Sequence, residues 1–515
     1  MKRLKWLLAL SMVFVIMAIG LTGCGSTKAS DKNTLVYGSG DYTVINPALY
    51  EHGEINSLIF AGLTAHDEND AVVAGMADKW DWDEATLTYS FHLRDNLTFQ
   101  DGKKLTTKDV KFTLDSIMDP KNASEIASNY EDITKIEIVD DQNIKITLAA
   151  PNIAMLDYLT IGILPAHLLE GKDLATDDFN HHPIGSGPYK LTAWDEGQSI
   201  TMEKFAGYYG GIPKIDTIIF KIVTDTKARA LQLKSGELDL AQVVPTDVSQ
   251  FQSDSDFKVY DMKTSDYRGI MYNFNNKLFK ENPDLPKALS YAIDRQSIVN
   301  TVLLGNGKVA YGPLQMSIYN NAAVEQYAYD PAKAESVLQE QGWAKNASGI
   351  YEKNGTPLAF KINCMEGDQE RVDIANIAAQ NFQAIGVSAT VSVNAETDWD
   401  NQETFLIGWG SPFDPDDHTY KVFGTDKGSN YNAYSNAKVD ESLTKARQLE
   451  NPTDRKTYYD AFQVELANQP PYTFICYIDA FYVGNSNIKG ITEKTLLGHH
   501  GVGIFYNIAQ WSLAE

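Results

Sequence analysis

Residues 358–393 alternate between strand and helix, and this pattern limits the fold more than any other stretch of the chain. Apolar residues predict one strand over 358–363 and another over 387–393. Between them, a helix that ends at Gly386 is predicted by apolar residues at helical spacing, namely Ile374, Ile377, Ala378, Phe382 and Ile385. Two strands joined through a helix usually lie parallel in one sheet. An α/β fold with a partly parallel sheet is therefore expected.

The first half of the chain is instead rich in strands. Residue patterns predict a half-buried strand over 87–93, a hairpin over 136–148 and three further strand segments over 189–222. Helices are predicted after the N-cap Thr106, over 289–305, and from Pro331 to the cap at Gly342. The chain has 515 residues, well beyond the roughly 250–300 at which a single core usually splits. Two or three domains are therefore expected.

The N-terminus has the order of a bacterial secretion signal. Basic residues at Lys2, Arg3 and Lys5 precede an apolar run over 6–20, which is shorter than the ~20 residues that a membrane-spanning helix needs. The Leu21-Thr22-Gly23-Cys24 quartet that follows resembles a lipobox. We expect a signal peptide over 1–23, lipidation of Cys24 and a flexible tether over 24–33. The protein would then be extracytoplasmic and anchored to the cell membrane by its N-terminal lipid.

Charge and cysteine content exclude several classes of protein. The chain has 68 acidic against 44 basic residues, for a formal net charge of −24, which argues against a nucleic-acid partner. After Cys24 only Cys364 and Cys476 remain, so a disulfide framework is excluded. Both cysteines lie in apolar, strand-like surroundings, and buried free thiols are expected.

Six segments, taken in order, give the chain a resemblance to a known family. They are FHLRDNLTFQDGKKLTTKDVKF (91–112), PIGSGPYKL (183–191), LKSGELDLA (233–241), KALSYAIDRQSIVNTVLLGNG (287–307), YDPAKAESVLQEQGW (329–343) and GWGSPFDPDD (408–417). With them the chain resembles the family 5 extracytoplasmic solute-binding proteins of ABC importers. Most of these residues have structural roles: Gly185 and Gly187 are expected at a tight strand entry with positive φ, and Asp109 as a helix cap.

The resemblance implies an α/β, two-lobed periplasmic-binding-protein-like fold of type II, cluster C-like, with three domains and a hinged ligand cleft. Lobe 1 would comprise residues 34–54, 184–267 and 487–515, with 55–183 as an inserted domain, and lobe 2 would comprise 268–486. The implied function is capture of di- or oligopeptides and their delivery to ABC permease subunits in the membrane, by a monomer without a cofactor. The alternative ligand is a chelate of nickel or another metal.

The loop after the predicted strand 404–408 holds the first candidate ligand contacts. Trp409 can form a wall of the site, and Asp414, Asp416 and His418 follow it. The competing interpretation is an acidic surface turn with Trp409 in the core. In peptide binders of this family an Asp three residues after the Trp holds the peptide amino terminus, but this chain has Pro412 there. The amine contact is therefore expected at Asp414 or Asp416.

The same loop is also similar to the nickel-chelate branch of the family. That branch has a run like Asn46-Pro47-Ala48-Leu49-Tyr50 near its ligand, so Tyr50 is a candidate contact. Its chelate-binding His has no counterpart here, because Lys427 stands at the matching spacing. No direct metal site is expected; for a chelate, the candidate imidazoles are His52, His418, His499 and His500.

A ligand carboxylate would need a buried cation, and arginine suits this role best. Arg371 lies near the position where dipeptide binders keep a ligand arginine, and Arg268 precedes two further candidates, Tyr272 and Asn273. Arg229 and Arg295 lie in predicted helices and are interpreted as packing or surface residues.

An enzyme is the competing class, and the sequence gives it little support. It contains no HExxH, GxSxG or P-loop motif. Pairs of carboxylates could serve a glycosidase, but they are common in so acidic a chain. A hydrolase and a lipoprotein that senses a peptide without importing it are the remaining alternatives.

Overall fold

The computed structural model describes residues 33–50, 53–399, 401–493 and 496–514. The predicted signal peptide, Cys24, nearly all of the tether and the candidate His52 lie outside these ranges. Within them, none of the helices combines the length and the apolar composition that crossing a membrane requires.

Twenty-two strands form one large mixed sheet and several small sheets. They are β1 (Thr34–Ser39), β2 (Thr64–His66), β3 (Val72–Ala74), β4 (Ala77–Asp83), β5 (Thr88–Leu93), β6 (Ile133–Ile138), β7 (Asn143–Leu148), β8 (Tyr189–Asp195), β9 (Ser199–Lys204), β10 (Thr217–Ile222), β11 (Leu240–Val243), β12 (Phe257–Tyr272), β13 (Gly307–Val309), β14 (Ala344–Lys345), β15 (Tyr351–Lys353), β16 (Thr356–Pro357), β17 (Ala359–Met365), β18 (Ser388–Asn394), β19 (Thr404–Trp409), β20 (Tyr472–Asn485), β21 (Ile488–Lys489) and β22 (Ser512–Leu513). All of these counts refer to the described ranges.

Helices alternate with groups of these strands along the chain. They are α1 (Asn56–Ile59), α2 (Thr107–Met118), α3 (Met155–Tyr158), α4 (Ala166–Leu169), α5 (Thr226–Ser235), α6 (Pro245–Val248), α7 (Lys277–Glu281), α8 (Leu285–Tyr291), α9 (Arg295–Thr301), α10 (Pro331–Glu340), α11 (Gln369–Ala384), α12 (Tyr420–Phe423), α13 (Ala437–Arg447) and α14 (Pro452–Asn468). Short 3₁₀ turns lie at Pro120–Asn122, Ala127–Asn129, Asp178–Asn180, His499–Gly501 and Ile504–Gln510.

The predicted β-α-β unit is confirmed. Strands β17 and β18 pair in parallel, and α11 connects them. The helix ends before Gly386, whose φ of +93° is a conformation that glycine adopts without strain. Together with β19, which is also parallel to β17, the unit forms one edge of the large sheet.

The sheet order is β18-β17-β19-β12-β20-β11-β1-β10-β9-β8. The two longest strands, β12 and β20, are neighbours and pair antiparallel along most of their length. A bulge in β12 between Lys263 and Tyr267 interrupts this pairing. A separate sheet, β4-β5-β7-β6, contains the predicted strand over 87–93 and the predicted hairpin.

Four groups of buried apolar residues make up the interior. Core 1 contains residues from 35–262 and 480–511, and core 4 contains residues from 230–251 and 481–483. Core 2 contains the β-α-β unit and other residues from 270–478. Core 3 contains residues of α13 and α14 packed against parts of 267–477. Strand β12 contributes Met262 to core 1 but Tyr267 to core 3. Strand β20 makes the same passage, with Tyr477 in core 3 and Tyr482 in core 1. Both strands therefore connect the two halves of the molecule.

Two local predictions were wrong. The helix expected over 289–305 is broken into α8 and α9, because the carboxylate of Asp294 accepts a hydrogen bond from Ser297 N and starts a new helix. Gly185 and Gly187 do not have a positive φ. They are required instead for a close approach, since a Cβ on Gly185 would lie 2.0 Å from the carbonyl oxygen of Ile59.

The remaining local predictions that could be examined are confirmed. Thr106 and Asp109 form a capping box at the start of α2, and Asp330 caps α10, which has Pro331 at its first position. Cys364 and Cys476 are buried free thiols. Arg229 and Arg295 are buried and donate to backbone carbonyls, as expected of packing residues.

Candidate functional site

A cavity of about 390 Å³ lies between core 1 and the loop 410–418 that follows β19. Its walls come from parts of the chain that are far apart in sequence. Lining residues include Tyr50, Glu54, Phe60, His66, Asp70, Tyr208, Tyr209, Ser411, Pro412, Phe413, Asp417, His418, His499, Val502 and Tyr506. We call this space the cleft cavity. A second cavity of about 310 Å³ lies on the other side of the same loop and shares the wall formed by Gly410–Phe413.

Trp409 ends β19 and supports the cleft cavity from behind. Its side chain is 5% exposed and belongs to core 3. The indole ring stacks near His499 and Tyr431, with centroids 5.7 and 6.0 Å away. Trp409 therefore packs against His499, which lines the cleft cavity, and its own side chain belongs to the core.

The two aspartates expected to bind an amine are already engaged with arginines. Both oxygens of Asp414 accept hydrogen bonds from Arg455, at 2.7 and 2.8 Å. Asp416 is 1% exposed and pairs with Arg447 at 2.7 Å. Such bidentate or fully buried pairs leave little carboxylate charge for a ligand. The geometry therefore gives both residues a role in fixing the loop, and it argues against the expected amine contact.

Imidazole rings surround the cleft cavity. His66 stacks on Phe413 with ring centroids 3.7 Å apart, which brings core 1 into contact with the loop. His418 lies 5.4 Å from Trp409 between ring centroids. Burial lowers the pKa of His499 to about 4, so this imidazole is neutral at pH 7. Two of the candidate chelate residues, His418 and His499, therefore line one space.

A charged network extends inward from His499. Its Nδ1 lies 2.9 Å from Asp266 Oδ1, and Arg268 Nη1 lies 2.7 Å from the same oxygen. Burial opposes ionisation of Asp266, but Arg268 and His499 hold its pKa well below the usual range. His500 joins the network through its backbone N–H, which donates to Asp266 Oδ2 at 2.9 Å. Asp266 occupies the bulge of β12, so the irregularity of that strand creates the network.

The candidate arginines lie in or beside this network. Arg268 is buried, paired with Asp266 and 3.5 Å from Glu370. Arg371 is buried, and its Nε lies 3.1 Å from Asp368. Its Nη2 is enclosed without a hydrogen-bond partner in the described ranges. Neither arginine is among the residues that line the cleft cavity.

Tyr272 and Asn273 do not belong to the site. Both side chains are buried at the far end of β12, where the Tyr272 hydroxyl pairs with Thr473 at 2.7 Å and Asn273 Nδ2 donates to the Gln402 carbonyl at 2.8 Å. Their polar groups are used inside the fold. The expectation that they contact ligand is therefore corrected.

Tyr50, a candidate ligand contact, lies at the edge of the cleft cavity with 36% of its surface exposed. Sequence reasoning missed Glu54, Asp70 and the Tyr208-Tyr209 pair. Burial raises the pKa of Glu54 to about 7 and that of Asp70 to about 6. The two adjacent tyrosines after a glycine are a sequence signal that could have indicated a binding surface. The sequence around Glu54 and Asp70 contains no such signal.

Three contacts join the surface of core 1 to core 3 beside the cleft cavity, and we call them the closure contacts. The Tyr158 hydroxyl donates to Asp416, Arg447 Nη1 lies 3.2 Å from Asp132, and Lys427 Nζ lies 2.7 Å from Glu131. The Tyr420 hydroxyl also donates to Glu131. Lys427, which stands where the nickel branch has a histidine, is therefore engaged by a carboxylate of the opposite half.

Comparison with known proteins agrees with this architecture. The oligopeptide-binding protein AppA of Bacillus subtilis is 30% identical over 557 aligned residues, which span 100% of each chain. NikZ from Campylobacter jejuni, solved in complex with Ni(L-His), is 39% identical with a TM-score of 0.89 and covers 93% of this chain and 99% of its own. The structure of AppA from Bacillus subtilis in complex with a nonapeptide is 28% identical with a TM-score of 0.86. It covers 94% of this chain and 99% of its own.

The neighbours have the two-lobed type II periplasmic-binding-protein fold, so the fold class predicted from sequence is confirmed. A family model, that of the middle part of the bacterial extracellular solute-binding proteins of family 5, matches residues 71–431. This chain therefore belongs to family 5 of the bacterial extracellular solute-binding proteins.

Proposed function

We propose that this protein is the substrate-binding component of an ABC importer and that it captures a small amino-acid-derived ligand, in the first place a short peptide. The observation that carries the proposal is the cleft cavity, which is closed on one side by core 1 and on the other by the loop after Trp409. A ligand held there touches both halves only when they are together, so its binding stabilises the closed form.

The size of the cleft cavity indicates the size of the ligand. At about 390 Å³ it lies at the low end of the roughly 300–1,000 Å³ range of small-molecule sites. A di- or tripeptide fits this space. A longer peptide would need the second cavity as well, and therefore a shift of the Gly410–Phe413 wall that separates the two.

The polar groups suit the ends of such a ligand. Asp70 and Asp417 line the cavity and can accept hydrogen bonds from an amino group, while the Tyr50 hydroxyl can donate to a carboxylate. The neutral His499 directs its Nδ1–H to Asp266, so its Nε2 can accept a hydrogen bond from the amino group. Arg268 acts through Asp266, which positions His499. Arg371 lies behind this network and adds positive charge to it. These assignments replace the amine contact expected at Asp414 and Asp416.

A metal chelate is the second candidate, and the imidazoles favour it. His66, His418 and His499 all line the cleft cavity, and neutral imidazole is a good ligand for nickel and similar metals. Within the described ranges no three His, Cys, Asp or Glu side chains are arranged to hold a metal ion themselves. The metal would therefore arrive with its own small-molecule ligands, as in the NikZ complex with Ni(L-His).

The remaining parts of the proposal concern the cell. The predicted lipid on Cys24 would keep a monomer near its permease and raise its local concentration there. We propose the same domain boundaries as the sequence indicated, with the closure contacts formed between the inserted domain 55–183 and lobe 2. The family consists of solute-binding proteins, and we propose that this member binds without turnover.

Native mass spectrometry of protein purified without refolding tests the proposal. A set of short-peptide masses supports peptide import, and a single metal-containing mass supports the chelate. Tyr50→Ala should weaken binding of the identified ligand, whereas Tyr329→Ala, which removes a similarly exposed tyrosine outside the cleft cavity, should not. Hydrolysis of peptides by the purified protein would contradict the proposal.

A further inference from the structure

A third cavity, of about 290 Å³, lies within the second half of the molecule. It is bounded by α8, α9, the segment 311–327, α14 and the start of β20, and it shares no lining residue with the cleft cavity. The closure contacts are not part of its wall. A ligand in this cavity would therefore make no contact with the residues that line the cleft cavity.

One wall is formed by Arg295, which has no acidic partner among the described residues. The residue is 4% exposed. Its Nε donates to the Phe474 carbonyl at 2.7 Å, and its Nη1 donates to the carbonyls of Tyr327 and Ser290 at 2.9 and 3.1 Å. In the described part of the chain, Nη2 has no hydrogen-bond partner and no carboxylate lies within ion-pair distance of this guanidinium.

Arg229 is likewise buried against a backbone carbonyl, but three other buried arginines have an acidic partner. Arg268, Arg447 and Arg455 each pair with an aspartate at 2.7 Å. Burial without such a partner lowers the pKa of Arg295 to about 10. The carbonyl contacts explain why Nε and Nη1 are buried, but they leave a positive charge with a free donor at the edge of an open space. An anion placed there would remove this electrostatic cost.

The other residues that line the cavity indicate the chemistry of the rest of the ligand. The Tyr311 ring lies 5.2 Å from the guanidinium carbon, and Tyr327, Leu466 and Ala467 add apolar surface. Only the Nη2 edge of the Arg295 guanidinium is available, so the cavity can neutralise one negative charge of a ligand. A phosphate with two charges would lack a second cation, whereas a monocarboxylate with an apolar body fits both features.

We propose that this cavity is a second ligand site, separate from the cleft, that takes a small organic monocarboxylate. The carboxylate accepts hydrogen bonds from Arg295 Nη2, and the apolar body lies against Tyr311 and Leu466. The ligand fixes α9 relative to α14, because it bridges Arg295 to Leu466.

Isothermal titration with benzoate, and with benzamide as the uncharged analogue, tests this on the purified full chain. We expect benzoate to bind with a Kd of about 1 mM or tighter, and benzamide to bind at least about tenfold more weakly because it lacks the charge. Ala322→Trp, which places an indole at the exposed rim of the cavity, should abolish benzoate binding. Its neighbour Ala323, also exposed but not lining the cavity, gives the control Ala323→Trp.

Two outcomes would overturn the proposal: no benzoate binding to the wild type, or equal binding to wild type and Ala322→Trp. Ala467→Trp fills the cavity from α14 and provides a second blocking variant. Circular dichroism confirms that each variant is folded before titration. A cleft ligand should leave the benzoate titration unchanged, which separates this site from the cleft cavity.

Discussion

The acidic loop after Trp409 shows how one distant partner changes the role of a residue. Asp414 and Asp416 lie where a ligand amine was expected, yet Arg455 and Arg447 occupy their oxygens. Arg447 lies in α13 and Arg455 in α14, and both helices come later in the chain than the loop. The sequence therefore identified the loop that lines the cavity but could not identify which of its side chains faces the ligand.

Trp409→Ala should lower the free energy of unfolding by about 3 kcal/mol, because it empties a buried site of an aromatic side chain. Ligand affinity should also fall, since the rings of His499 and Tyr431 lose their support. Urea denaturation measures the first effect. Trp82→Ala, at a half-buried tryptophan on another sheet, is the control and should cost clearly less. An unchanged unfolding free energy would show that Trp409 is only a wall of the site.

Glu54 should make stability fall as pH rises. Its pKa is 4.5 in a model peptide and about 7 in the folded protein. Between these values the native state binds a proton that the unfolded state has released, so the free energy of unfolding falls as pH rises. From pH 5 to pH 8 this group should cost about 2 kcal/mol. In Glu54→Gln this pH-dependent contribution is absent, because the amide does not titrate. Its carbonyl oxygen can still accept the hydrogen bonds from Tyr482 and Gly503.

Urea denaturation at pH 5 and pH 8 of the wild type and Glu54→Gln measures this difference. Glu68→Gln, at an exposed glutamate nearby, should keep the pH dependence of the wild type. Identical pH dependence in the wild type and Glu54→Gln would show that Glu54 is ionised in the folded protein at neutral pH.

At the scale of elements, the closure contacts join residues 131–158 to residues 416–447. Lys427→Met removes the cation from Glu131 and should shift the equilibrium from closed toward open roughly threefold, as expected for a partly exposed ion pair. Small-angle scattering of the unliganded protein should show a larger mean radius of gyration. Added salt should affect the wild type more than the variant.

Lys438→Met is the matched control for this experiment. Lys438 pairs with Glu465 at 3.0 Å within the second half of the molecule, so its loss should leave the radius of gyration unchanged. If Lys427→Met also leaves it unchanged, the Glu131 pair does not contribute to closure.

Elements with local signals were predictable from the sequence. The capping box at Thr106, the proline that opens α10 and the glycine after α11 are all set within a few residues of each other. The break between α8 and α9 was missed because apolar spacing continues across it. The bulge of β12 was missed as well, since it depends on pairing with β20, far along the chain. That bulge places Asp266 at the centre of the network beside the cleft cavity, so this part of the candidate site could not be predicted.

At the scale of the whole molecule, the two halves are connected by β12 and β20, whose pairing is interrupted by the bulge at the passage from core 1 to core 3 and resumes on either side of it. A two-stranded ribbon bends easily across its flat face, but sliding or twisting one half against the other would break backbone hydrogen bonds. We therefore expect the two halves to move mainly by bending at this passage. Ligands of different chemistry would then close the halves along the same path, and a membrane partner that recognises the closed outline would detect occupancy without contacting the ligand.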